Sequence, residues 1–180
     1  MTGVQLLLNV GLHRLFIWGR YAVFRIDGRT PRGARLIEVA AVASILAGLS
    51  LIGLRDGADD VFDPAAAAVA GLSGGLFLWA VRTVNRDRLT AAFSDDLPRE
   101  LIAAGPYRWV RNPFYLSYLL AYGHALLASR SPWALLPLLL MAGIYGTAAV
   151  MEERKFARSD LAAAYRAYAR RTGRFMPWIF

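Results

Sequence analysis

Apolar positions along the chain fall in long blocks, and short charged segments separate them. Four blocks approach the roughly 20 residues that a membrane-crossing helix needs. They are Leu36 to Leu54, with Glu38 near its start; Ala65 to Val84, begun by Pro64; Pro113 to Ala128, the shortest; and Pro132 to Met151. Proline is tolerated at a helix's first position. A fifth block, Val4 to Phe24, is interrupted by His13, Arg14 and Arg20. It either spans, with these groups facing other helices, or lies in the membrane interface. The pattern predicts an all-α, polytopic transmembrane helix bundle with four spans and a candidate N-terminal fifth.

Past the last span, Leu161, Tyr165 and Tyr168 share one helical face, and Arg166, Arg170 and Arg171 take the other. This predicts a C-terminal cytoplasmic amphipathic helix, ended by Thr172-Gly173. Arg174 to Trp178 then returns to the interface. Two readings stand side by side: a helix lying on the membrane surface, and a lid over a site. Gly71 and Gly75, inside the second span, have the spacing of close helix packing. No strand precedes them, so a phosphate-binding loop is a poor reading.

Composition agrees with the pattern. The chain has 180 residues, of which 57% are hydrophobic and 19% charged. Its mean hydropathy is +0.37. That length suits one domain, with residues 1–98 supplying N-terminal helices and 99–180 a cofactor-binding hairpin and C-terminal helix. With no cysteine, disulfides, thiolate nucleophiles and cysteine metal sites are excluded. His13 and His124 match no ligand spacing, so no metal site is expected. The first residues lack a basic segment, so a signal peptide is not indicated.

The net charge of +8 changes the picture more. In a soluble protein it would raise nucleic-acid binding. Here the basic residues sit beside apolar blocks, and orientation with anionic membrane lipid accounts for them better. Six arginines lie between Arg82 and Arg111, and six arginines with Lys155 follow the last span. By contrast, Arg55 to Asp63 is acidic, and the loop between the last two spans has only Arg130. The positive-inside rule then puts residues 82–111 and the C-terminal segment in the cytoplasm. A bacterial inner (plasma) membrane is the expected location.

Candidate chemistry sits in two stretches. The first is Gly105-Pro106-Tyr107-Arg108-Trp109-Val110-Arg111-Asn112-Pro113-Phe114-Tyr115. Asn112 and Pro113 read as an N-cap and first helical position. A helix start there would favour an anionic group, and Arg108 and Arg111 add donors for carboxylate or phosphate. The second stretch is Glu152-Glu153, at the exit of the last span. Because only Ser129 to Ser131 joins the last two spans, they must form an antiparallel hairpin, which brings Arg111 and Glu152 to one end. Such a site suits a zwitterionic or cationic small molecule. On composition alone the plainer reading comes first: a salt bridge of Glu152 or Glu153 with Arg108 or Arg111, amid a belt of aromatics.

Together these stretches resemble the isoprenylcysteine carboxyl methyltransferase and phospholipid methyltransferase superfamily. Its members carry Gly-x-Tyr-x-x-x-Arg-His/Asn-Pro-x-Tyr before one span. A Glu-Glu pair follows the next span, then paired tyrosines and a Gly-x-Phe-x-Pro-like ending. Here these are Gly105 to Tyr115, Glu152-Glu153, Tyr165 with Tyr168, and Gly173-Arg174-Phe175-Met176-Pro177. The resemblance implies S-adenosylmethionine as methyl donor and a lipophilic, membrane-accessible acceptor. It makes Tyr107, Arg111, Asn112, Pro113, Tyr115, Glu152 and Glu153 candidate cofactor ligands, with Arg108 and Arg111 as candidate catalytic residues that orient an anionic acceptor or the cofactor carboxylate. Three departures bear on the acceptor. Asn112 stands where many isoprenylcysteine enzymes have histidine; Arg99 replaces a histidine; Asp160-Leu161 replaces a Phe-Gly pair. Phospholipid N-methylation is therefore kept as an alternative, and a non-enzymatic scaffold or transporter subunit as a third.

Overall fold

The structure is a computed structural model that describes residues 2–23, 32–55, 62–84, 97–98, 100–177 and 179. Arg99, Trp178, most of the acidic loop, and residues 85–96 of the 82–111 basic segment lie outside the described residues. The fold is all-α. Among the described residues six α-helices follow in order: α1 (Thr2–Val23), α2 (Arg32–Gly53), α3 (Phe62–Thr83), α4 (Pro113–Ser129), α5 (Leu135–Ala157) and α6 (Ala162–Ala169). Among the described residues three stretches are long and apolar enough to cross a membrane: Arg35–Gly53, Asp63–Thr83 and Pro132–Ala157; the expected span at Pro113 to Ala128 is shorter than these. Among the described residues the β-structure is an isolated parallel bridge between Val110 and Gly173.

α4 has 17 residues and reaches less far than its neighbours. It compensates by burial, packing along α3 at the centre of the bundle. Ser73 Oγ donates to the Ser117 carbonyl at 2.7 Å, and Phe77 meets Phe114 with centroids 5.3 Å apart. Small residues let the helices approach, since in lipid packing itself drives association. Ala66, Ala125 and Ala128 are buried with Ile52 in one cluster. A Cβ at Gly48 would sit 3.3 Å from that of Ala125.

The Gly71 and Gly75 expectation is corrected here. A Cβ at either would meet nothing within 4 Å, whereas one at Gly74 would touch Leu12 at 3.4 Å. The helix is rotated so that Ser73, Gly74 and Phe77 face the core. α1, left open by its charges, lies in the bundle: Leu12 is buried with Ala70 and Ala121, and Phe16 packs on Phe77 at 4.9 Å.

The hairpin reading holds. α4 closes on Arg130, which adopts a left-handed φ of 54°, and Pro132–Ala134 forms a 3-10 turn into α5. The start of α4 and the end of α5 are therefore neighbours. We call this the site end.

The opposite end is pinned by a buried ion pair. Arg55 donates to both Asp63 oxygens, at 2.5 and 3.0 Å, with side-chain exposures of 2% and 4%. It also donates to the Ala128 carbonyl at 3.1 Å, and Gln5 Nε2 donates to the Asp63 carbonyl at 3.1 Å. Residues from α1, α3 and α4 and the end of α2 thus meet at one charge pair.

Removing one member strands a buried charge. Asp63→Ala is expected to lower the unfolding free energy in mixed micelles by about 3–5 kcal/mol, while Arg55→Met with Asp63→Leu recovers most of it. A loss of about 1 kcal/mol or less, the scale of an exposed pair, would contradict the burial.

Candidate active site

Sequence order brings the first stretch down from α3. Gly105 opens a 3-10 turn through Arg108. Its φ is +56°, and a Cβ there would collide with the Thr83 side chain at the end of α3. Glycine meets both demands, the left-handed backbone and the close approach. The turn buries Pro106 and Tyr107, and extended backbone then leads through Val110 into α4.

That extended segment pairs with the C-terminus. Arg111 N–H donates to the Gly173 carbonyl at 2.8 Å, Gly173 N–H to the Trp109 carbonyl at 3.2 Å, and Asn112 N–H to the Arg174 carbonyl at 3.2 Å. Gly173 is required here: a Cβ would run into the Met176 carbonyl oxygen. Asn112 occupies the N-cap position expected of it, yet its side chain makes no cap hydrogen bond. Instead its amide donates to the Arg174 carbonyl at 3.2 Å.

The two glutamates divide. Glu153 takes Arg111 Nε at 3.2 Å and both Nε and Nη2 of Arg174 at 2.9 Å. Arg111 also donates to the carbonyls of Ala169 and Thr172. Its charge thereby satisfies orphan carbonyls after α6, where a cation is favoured. Hydrogen bonding to Glu153 raises the Arg174 guanidinium above its ordinary value. Glu152 points elsewhere and accepts from the Tyr115 hydroxyl at 2.7 Å. Tyr115 in turn stacks on Tyr145 with centroids 5.0 Å apart.

The C-terminal segment forms a wall. α6 ends at Ala169, with turns through Thr172. Tyr165 stacks on Phe156 at 4.4 Å. Tyr168 is buried and donates to the Tyr107 carbonyl at 2.7 Å. Burial pushes its hydroxyl up to about 12 and raises that of Tyr165 as well, so both stay protonated donors at neutral pH. Arg166, Arg170 and Arg171 are exposed, as the amphipathic pattern requires.

These elements line a half-open cleft at the site end, walled mainly by aromatic side chains. Tyr107, Arg111, Asn112, Pro113, Tyr115, Glu152 and Glu153 all line it. Arg108 does not; it is exposed on the 3-10 turn. Among the described residues no group of three or more His, Asp or Glu side chains could hold a metal.

The family model for phospholipid methyltransferase matches residues 64–162, more than half of the 180-residue chain. The chain belongs to the phospholipid methyltransferase family. Comparison with curated proteins returns no match. Membership, with the long apolar helices, makes the chain an integral membrane protein of methyltransferase type. The matched region runs from α3 to the first residue of α6. It contains Gly105 to Tyr115 and Glu152-Glu153. The tyrosines of α6, Arg174, and all of α1 and α2 fall outside it.

Sequence reading did not place Tyr118 or Phe156 in the site, although helical spacing points to both. Tyr118 is three residues after Tyr115 on α4, and Phe156 four after Glu152 on α5, so each repeats the same face. Both line the cleft, as do Tyr165 and Tyr168.

Glu153→Gln should loosen the tail without entering the bundle core. Tryptic cleavage after Arg166, Arg170 and Arg171 is expected to rise roughly tenfold, as about 1.4 kcal/mol of lost tethering produces when cleavage tracks the open population. An unchanged digestion pattern would contradict the role given to Glu153.

Proposed function

We propose that this protein transfers a methyl group from S-adenosylmethionine to a lipophilic acceptor, in a cleft facing the cytoplasm. The observation that carries the reading is the Glu152–Tyr115 pair at 2.7 Å, facing a cleft walled by aromatic rings. It belongs to the two stretches matched by a methyltransferase family.

The donor set suits the cofactor. A carboxylate held by a tyrosine hydroxyl is an acceptor for ribose hydroxyls or an amino group. Glu152 is the better placed of the two glutamates, because Glu153 already satisfies two guanidinium groups. The stacked Phe156 and Tyr165 offer aromatic faces to a planar base or a sulfonium. The first turn of α4 presents backbone N–H groups, and its dipole favours the carboxylate end. Arg111 borders the same place and supplies positive charge there. When bound, S-adenosylmethionine supplies a methyl group on a sulfonium, which a nucleophile takes by in-line displacement.

Because charge disperses in that transition state, the protein's task is alignment and exclusion of water. The C-terminal wall does the second: Tyr165 and Tyr168 close the cleft from the aqueous side. An ionised carboxylate acceptor needs no base, whereas a protonated amine must first lose a proton. Glu152 is the cleft carboxylate within reach of such a proton. A single domain carries the site, with residues 99–180 forming the cofactor hairpin and tail. The basic flanks favour a bacterial inner membrane orientation with this end inward.

Equilibrium binding of S-adenosylmethionine to the purified chain, in detergent with lipid restored, tests the reading. Saturable binding by wild type is expected. Glu152→Gln should weaken it roughly tenfold or more, consistent with losing hydrogen bonds to a charged group worth about 1.5–3 kcal/mol. The Glu152→Ala, Glu153→Ala double variant should abolish it. A well-folded wild type that binds none would overturn the assignment.

A further inference from the structure

A second ion pair lies at the site end, on the flank formed by α1 and α2. Arg20, in the last turn of α1, meets Glu38, in the second turn of α2, with Nη2 and Oε1 2.5 Å apart. The side chains keep 39% and 38% of their surface exposed. Their helix neighbours are apolar and turned outward: Ile17, Tyr21, Leu36 and Val39 are 58%, 73%, 70% and 68% exposed. Trp18 and Tyr21 flank Arg20, and such aromatics settle at headgroup depth. At that depth the Arg20 guanidinium is within reach of an anionic headgroup.

The pair is coupled to the cleft through Tyr118. Phe16, one turn before Arg20, meets the Tyr118 ring edge-on at 4.8 Å. Tyr118 in turn lines the cleft. On the other helix, Ile37, next to Glu38, packs on the cluster of Tyr122, Met141 and Tyr145. Arg20 and Glu38 both precede the residues that the family model matches, so membership assigns them nothing.

We propose that Arg20 and Glu38 form a headgroup subsite for the acceptor, selecting membrane amphiphiles with an anionic group. The proposal rests on reading the cleft as a methyl-transfer site. Arg20 binds the anion, and its planar fork of donors suits carboxylate and phosphate alike. Glu38 compensates the Arg20 charge when no amphiphile is present, and the incoming anion displaces it. The alkyl chain then lies along the exposed apolar face of α1 and α2, which leaves the reacting end directed at Tyr118 and the cleft.

The competition gives the two residues opposite signs, which a simple staple between helices does not. Dodecyl phosphate and dodecanoate are the probes, with dodecanol and dodecyltrimethylammonium as controls. Binding to the full chain is read by native mass spectrometry from a non-ionic detergent. Wild type should bind an anionic probe saturably and the controls at least roughly tenfold more weakly. Arg20→Gln should weaken the anionic probe roughly tenfold, and Glu38→Gln should tighten it. Binding of the phosphate alone or the carboxylate alone supports the subsite and identifies its group. Equal weakening by both variants, with matching drops in Tm, would overturn the proposal in favour of a staple, as would no change in either. S-adenosylmethionine binding is measured on the same wild-type preparation. If it fails while the probes follow the predicted pattern, the subsite stands and the methyl-transfer reading falls.

Discussion

The site end depends on one carboxylate holding two guanidinium groups. Glu153 lies near the end of α5, Arg111 just before α4, and Arg174 near the C-terminus. Two of these anchors belong to the long helices α4 and α5 or adjoin them, and the third belongs to the tail. The tail has an eight-residue helix and then irregular backbone, too short to persist alone in water. By joining three segments at one point, Glu153 turns a loose tail into a wall. The Arg111 side chain then satisfies carbonyls after α6, and the backbone bridge at Gly173 fixes the register. Tyr165 and Tyr168 reach the cleft because of that register.

The bilayer explains why ion pairs sit at both ends of the bundle. Within the apolar layer, association rests on close packing of small residues and a few interhelical hydrogen bonds. Charge pairs at the ends add directional constraints. Arg55 with Asp63 fixes the end away from the site, where exposures of 2% and 4% leave no room for water to screen the charges. The Glu153 group fixes the site end. Between them, α3 and α4 form a rigid core that carries the start of α4 to its place beside Glu152.

Much of this was legible in the sequence, for identifiable reasons. Span lengths follow from apolar runs, and the α4–α5 hairpin from a connection of a few residues. Pro113 marked the start of α4 correctly because its fixed φ and missing N–H suit that position. The plain salt-bridge reading fits Glu153, which bonds Arg111 and Arg174, whereas Glu152 accepts from Tyr115; both line the cleft. No sequence pattern could separate them, since neighbouring residues on a helix differ by 100° in direction and the tail's position sets which direction matters. Asn112 illustrates the same limit. Its N-cap position was readable, but its amide serves a backbone carbonyl 62 residues away. For Gly71 and Gly75 the spacing was right for packing and the helix face was wrong, because Ser73 and Phe77 set the rotation.

The proposed cofactor cleft owes one wall to the attachment of the tail through Glu153. Arg174→Ala isolates this attachment: the Arg174 side chain is partly exposed, lies outside the cleft lining and reaches the site through Glu153, while its carbonyl contacts to Asn112 are kept. The measurement is the equilibrium Kd for S-adenosylmethionine, taken beside amide exchange at residues 169–174. The account predicts faster exchange in the tail, an unchanged Tm for the bundle, and affinity weakened by roughly tenfold. An unchanged Kd in a variant whose tail amides exchange freely would contradict it.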